Sequence, residues 1–193
     1  FRLSLDNMVK MARSAGARVI FVSPASNLKD SSPFKSQDTP GISSADIQRT
    51  WQLLTMSKPM VWEKQWPVAL NFLDQAIKLN PRKAELHFRR GQALFAMGQF
   101  DTAKKEFILA RDEDVCPLRA LTPMGKIVAE VAKKQQVMLV DYEDLLEKRM
   151  LEQDNHSILG EEYFLDHVHP TIEGHKLLAM ALLKCHSRPI CRS

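Results

Sequence analysis

The run Asp166-His167-Val168-His169-Pro170 holds the residues of this chain best suited to moving a proton. Pro170 and Thr171 stand where a helix would begin, because proline is accepted near a helix start and a threonine hydroxyl can cap one. Asp166 and His169 then share the turn ahead of that helix. A carboxylate three residues before a histidine on such a turn can reach the Nδ1 hydrogen. That contact fixes the tautomer and stabilises the imidazolium formed when Nε2 takes a proton, for example from a serine hydroxyl. Asp166 and His169 are therefore the candidate catalytic residues, His169 as general base and then acid, Asp166 as its orienting partner. The plainer alternative is a helix-start histidine that only hydrogen-bonds its neighbour. His167 and His169, with Asp166 and His175 nearby, also offer zinc-ligand types. The remaining ligands of a metal centre are not visible at recognisable spacing, so neither a metal nor another cofactor is expected.

Such a turn needs elements to hold it. Around Leu3, Leu5, Met8, Val9 and Met11 the spacing predicts a helix ending near Gly16. Arg18-Val19-Ile20-Phe21-Val22 follows as a short apolar, β-branched run ending at Ser23-Pro24, which predicts a buried parallel strand. Val137-Met138-Leu139-Val140-Asp141 is a second such run, preceded by a helix that Thr122 can cap and Pro123 can open, reaching about Lys134. Alternating helix and strand predicts an α/β fold with a parallel sheet. From Pro24 to about residue 42 the chain turns to Ser, Asn, Asp, Pro and Lys without periodicity, a long loop leaving the carboxyl end of the first strand. Open α/β sheets build ligand crevices at that end. Asn27 in this loop is a candidate substrate-binding residue at the border of that crevice, although asparagine is also an ordinary loop residue. Arg119, just after Cys116-Pro117, is a second candidate, for an anionic substrate group, against the plainer reading of a solvated arginine ahead of a helix.

Residues 66 to 114 repeat themselves at a spacing of 34: Trp66 with Phe100, Ala69 with Ala103, Leu73 with Phe107, Ala76 with Ala110, and Asn80 with Asp114. The small residues let paired helices approach, and the aromatic and leucine positions fill the groove between them. This pattern resembles the tetratricopeptide repeat, with residues 84 to 114 matching one whole unit, Gly91 and Gly98 at the small and turn positions, and Pro81 ending the preceding helix. The upstream unit is clear only in its second helix, because Pro59 falls inside the first. Two units are fewer than the three an independent solenoid generally needs, so the expectation is a helical insertion leaning on the α/β part. The division expected is 1–42, 43–115 and 116–193. The apolar stripe of these helices is read first as packing, and the resemblance implies as the alternative a protein partner docked on them.

The Asp-x-x-His-Pro turn with its trailing helix resembles the last motif block of the SGNH, or GDSL-like, hydrolases. That resemblance implies a three-layer α/β/α, flavodoxin-like parallel sheet and a C-terminal part of a serine esterase or acyltransferase. Asp166 and His169 would supply two members of its triad, acting on a small-molecule, carbohydrate or lipid ester. No Gly-Asp-Ser block is visible, so the nucleophile and the glycine and asparagine blocks are expected before Phe1. Ser23, flanked by Val22 and Pro24, is a poor substitute. The competing expectation is a non-catalytic tetratricopeptide binding module on such a scaffold.

Composition bounds these readings. The chain has 193 residues, 45% of them hydrophobic, and 27 Lys and Arg against 23 Asp and Glu, giving a net charge of +4. The charges are scattered rather than gathered in a basic block, which argues against nucleic acid. No apolar stretch approaches the roughly 20 residues of a membrane span. Cys116, Cys185 and Cys191 lack metal-site spacing, and the odd count argues against a disulfide framework, leaving a Cys185–Cys191 bridge open only for an oxidising compartment.

Overall fold

The computed structural model describes residues 1–186 of the chain. Its order is α1 (Arg2–Ser14), β1 (Ile20–Val22), α2 (Ser44–Trp62), α3 (Trp66–Leu79), α4 (Ala84–Ala96), α5 (Phe100–Asp112), α6 (Thr122–Lys134), β2 (Met138–Val140), α7 (Tyr142–Asp154) and α8 (Ile172–His186). Cys191, and with it the Cys185–Cys191 pairing, lies outside the described residues.

Each apolar run forms a strand of only three residues. β1 and β2 pair in parallel, Ile20 with Met138, Phe21 with Leu139 and Val22 with Val140. Side chains alternate across this ribbon. Phe21 packs with Val9, Val128, Val131, Ala132 and Val137 between α1 and α6, while Ile20 and Val22 turn toward Leu146, Met150, Leu159 and Phe164 beside α7 and α8. The expected three-layer α/β/α, flavodoxin-like parallel sheet is therefore corrected. Among the described residues the sheet has two strands and the structure is mostly helical. The physical reason lies in the patterning: only two short β-branched runs are present, and nearly every other apolar segment carries helical periodicity that buries it against another helix. Two three-residue strands do not make the continuous middle layer that a sandwich requires.

The four central helices stack as two antiparallel pairs, α2 with α3 and α4 with α5. Leu53, Leu54, Leu73, Ala76 and Leu86 form the core of the first pair and its junction with the second. Phe88, Leu94, Ala103, Phe107 and Ala110 form the core of the second, closed at one side by Leu28 and Ile158 from loops outside the pair. Helix α2 runs through Pro59, which is exposed. Its hydroxyl-capped start, where Ser43 Oγ accepts from the Asp46 N–H at 3.1 Å, is a standard helix N-terminus. Helix α6 begins differently from the sequence expectation. Thr122 is already its first helical residue, and its hydroxyl accepts from Arg111 Nη2 at 2.6 Å instead of capping.

Candidate functional site

The chain enters the turn 163–171 through a buried pair of aromatics, Tyr163 and Phe164, and leaves it into α8. An isolated antiparallel bridge between Phe164 and Pro170 closes it, with the Leu165 N–H donating to the His169 carbonyl at 2.8 Å. Inside this closed turn Asp166 Oδ1 accepts from the Val168 N–H at 2.8 Å and the His169 N–H at 2.9 Å, and Oδ2 faces His169 Nδ1 at 2.7 Å. Those backbone N–H groups, first His169 and then Val168, followed by the His169 ring, hold the Asp166 carboxyl well below the usual carboxylate range. Both side chains are open to solvent, His169 at 74% exposure and Asp166 at 49%. Thr171 Oγ1 accepts from the Gly174 N–H at 3.3 Å and so supports the start of α8. Among the described residues no three His, Cys, Asp or Glu come together as a metal site.

Asn27 and Arg119 come together, Asn27 meeting the same turn through its backbone N–H and Arg119 only by way of Asn27. The Asn27 N–H donates to the His167 carbonyl at 3.1 Å, and its Oδ1 accepts from the Asp30 N–H at 2.9 Å. Arg119 Nη1 donates to the carbonyls of Asn27 and Ser31, each at 2.9 Å. Only 4% of Arg119 is exposed, and its Nη2 has no hydrogen-bond partner. Burial, partly offset by Asp114, pulls the guanidinium down to about 10. These two residues thus brace the loop that carries the turn. Ser23 is similarly occupied: its Oγ donates to Asp141 Oδ1 at 2.8 Å and accepts from the Tyr142 N–H at 2.8 Å, tying β1 to the start of α7.

The long loop after β1 runs along one edge of the helix pairs, and repeat-equivalent residues grip it. Asn80 Oδ1 accepts from Thr39 N–H and Oγ1 at 2.8 and 2.9 Å, while the Asp114 carboxylate accepts from the Phe34 and Lys35 N–H groups at 2.7 and 3.0 Å. Ser36 Oγ accepts from the Glu85 N–H at 3.0 Å, supplying α4 with a cap from outside its own sequence. Lys83 places a buried ammonium between Asp38 Oδ1, at 2.8 Å, and the Trp51 ring, 5.0 Å away.

A second candidate surface escaped the sequence reading. Lys58, Val61 and Trp62 lie at i, i+3 and i+4 on α2, one face of the helix. With Lys64, Trp66 and Arg89 they line a notch of about 360 Å³. Trp62 is 88% exposed. The spacing of Lys58 and Trp62 was the available signal, but α2 was not recognised as a helix across Pro59.

Residues 72–105 match the tetratricopeptide repeat family. The matched segment covers the second half of α3, all of α4 and the first half of α5. No curated protein and no solved structure matches the chain. The expectation of an SGNH-like hydrolase or esterase, with an ester as its substrate, is corrected on these grounds: the family match falls on the repeat, and the surrounding structure is mostly helical with a two-stranded sheet. No helix among the described residues is long and apolar enough to cross a membrane.

Proposed function

We propose that the chain is a protein-interaction module, with residues 43–115 as the unit that docks a protein partner on its paired helices. The observation that carries this reading is the tetratricopeptide match at 72–105, which falls on antiparallel helix pairs whose outward face presents Trp62 and other large side chains to solvent. Helix pairs of this kind offer a preformed surface, so a partner loses little affinity to ordering the receptor. A photo-crosslinking residue placed at exposed Gln92, on α4, should yield a higher-mass protein adduct in the cells that make the chain. The same residue at exposed Arg2, on α1, should not. Absence of any adduct specific to position 92 would refute the reading.

One observation favours a second role for the turn 163–171, the 2.7 Å contact between Asp166 and His169. We propose that Asp166 holds His169 in the tautomer that carries its proton on Nδ1, leaving Nε2 free to accept one, while Asn27 and Arg119 position the turn. Nitrogen-15 NMR of His169 should report that tautomer, and a ring protonated on Nε2 alone would refute it.

A further inference from the structure

We propose that the notch formed by Lys58, Trp62, Lys64, Trp66 and Arg89 is the docking site for an acidic peptide segment carrying one bulky apolar side chain. This rests on the reading of the chain as an interaction module and names the chemistry of its partner.

Charge is the first argument. Three cations surround the notch, and the residues lining it include no carboxylate. One of these cations is already shared, because Glu85 pairs with Arg89 at 3.3 Å, so the net positive charge of the notch rests on Lys58 and Lys64. Glu63, beside Lys64 in the chain, accepts from Gln65 Nε2 at 2.9 Å. Val61, Trp62 and Trp66 supply an apolar wall between the cations. An indole exposed to 88% beside Lys58 and Lys64 suits a ligand that brings both negative charge and apolar surface.

The second argument rests on the backbone. Lys64 stands 34 residues before Gly98, at the turn between the two helices of each pair, and both adopt the left-handed conformation, φ 58° and φ 72°. The flanking residues Gln65 and Gln99 share nearly the same dihedral angles, so the two turns are alike. Glycine enters this conformation freely, whereas a lysine is strained in it. Placing the ammonium of Lys64 on the rim of the notch is what the strained choice achieves. The equivalent of Trp62 in the second pair is Ala96, that of Lys58 is Gln92 and that of Lys64 is Gly98, so the exposed indole and the two lysines are features of the first pair, whereas Phe95 and Phe100 stand where Val61 and Trp66 stand in it.

The test uses the full chain and synthetic twelve-residue peptides of Glu and Ser with one central Phe. Tryptophan emission should shift on titration, the apparent affinity should fall as salt rises, and a peptide with Lys in place of Glu should not bind. Trp62→Ala and Lys58→Glu, both at exposed positions, should each weaken binding about tenfold or more. Lys64→Gly is the discriminating variant: it should raise the melting temperature while weakening the peptide several-fold. Unchanged affinity in Trp62→Ala and Lys64→Gly would overturn the proposal. So would binding to phosphatidylserine vesicles that depends on these residues while the acidic peptide fails. If the crosslink at position 92 persists but no acidic peptide binds, the interaction reading stands and the acidic-partner assignment falls.

Discussion

Asn80 and Asp114, 34 residues apart and each at the carboxyl end of the second helix of its pair, hold the same loop by the same means. Each side-chain oxygen accepts backbone N–H groups of residues 34–39. Asp114 also accepts from the Cys116 N–H at 3.0 Å, and Asn80 donates to Asp38 Oδ1 at 2.7 Å. The repeat thus recurs in what its residues bind as well as in what they pack.

Removing either grip should loosen that loop. Asp114→Ala strips acceptors from three backbone N–H groups at a site only 5% exposed, and should lower stability by about 2–4 kcal/mol. Urea unfolding would measure the loss, and trypsin should cut after Lys35 faster in the variant. An unchanged midpoint together with unchanged cleavage would show that the loop is held by something else.

The packing of Gly91 against Phe107 admits no methyl group. A Cβ at Gly91 would stand 2.8 Å from Phe107 Cδ1, so Gly91→Ala should cost roughly 1–3 kcal/mol. In the first pair the equivalent residues are Ser57 and Leu73, both buried. The double variant Gly91→Ser with Phe107→Leu should therefore recover part of the stability lost by Gly91→Ser alone. A double-mutant cycle with no coupling would rule out this account.

His87 should make the module weaken as pH rises. Its Nδ1 lies 2.8 Å from Glu106 Oε2 and its Nε2 lies 2.8 Å from the Pro81 carbonyl, two acceptors, so both nitrogens donate and the ring is an imidazolium. Burial alone would push the ring down. The bonds to Glu106 and Pro81, with the charges of Glu106 and Glu113, outweigh it and lift the ring above the ordinary histidine range. Around it Arg90 of α4 donates to Glu106 at 2.7 Å and to Asp74 of α3 at 2.6 Å, and Arg82 pairs with Glu113. With the folded value raised, the stabilisation is full below the unfolded value of about 6.5 and is lost as pH climbs through the folded one. His87→Leu, which copies Leu53 of the first pair, should cost about 1–3 kcal/mol at pH 6 and less at pH 9. A difference between the two proteins that grows with pH would contradict this.

Asp166→Asn should change the chemistry of His169 without unfolding the chain, since both side chains are exposed. An amide has an N–H₂ where Oδ2 now accepts, so the ring would be driven toward the tautomer protonated on Nε2. Nitrogen-15 shifts of His169 at pH 8 would show the exchange, and identical spectra for the two proteins would count against the orienting role of Asp166.

The local features of this molecule were legible and the long-range ones were not. A carboxylate three residues before a histidine, with a proline after it, is enough to place Asp166 beside His169. Equal spacing of small and aromatic residues was enough to pair Trp66 with Phe100 and Ala69 with Ala103. Arg119 reads as a candidate ligand group in one dimension, because the carbonyls of Asn27 and Ser31 that occupy it lie 92 and 88 residues away. Lys64 was overlooked because its turn carries no glycine, the usual mark of that conformation. The sheet was overdrawn from strand-like runs whose ladder turns out three residues long.

The pairing of β1 with β2 also bears on how the chain folds. Ser23 and Asp141, at the ends of the two strands, are 118 residues apart, and α2 to α5 fill most of that interval with contacts between neighbouring segments. Closing so long an unstructured loop carries an entropy penalty that three ladder residues do not offset. Helical pairs built from local contacts form rapidly. Once they have formed, the ends of the interval are already near one another, and the strands meet across a much shortened gap. Folding should therefore proceed from the middle of the chain outward, and variants that weaken the helix pairs should slow the pairing of β1 with β2.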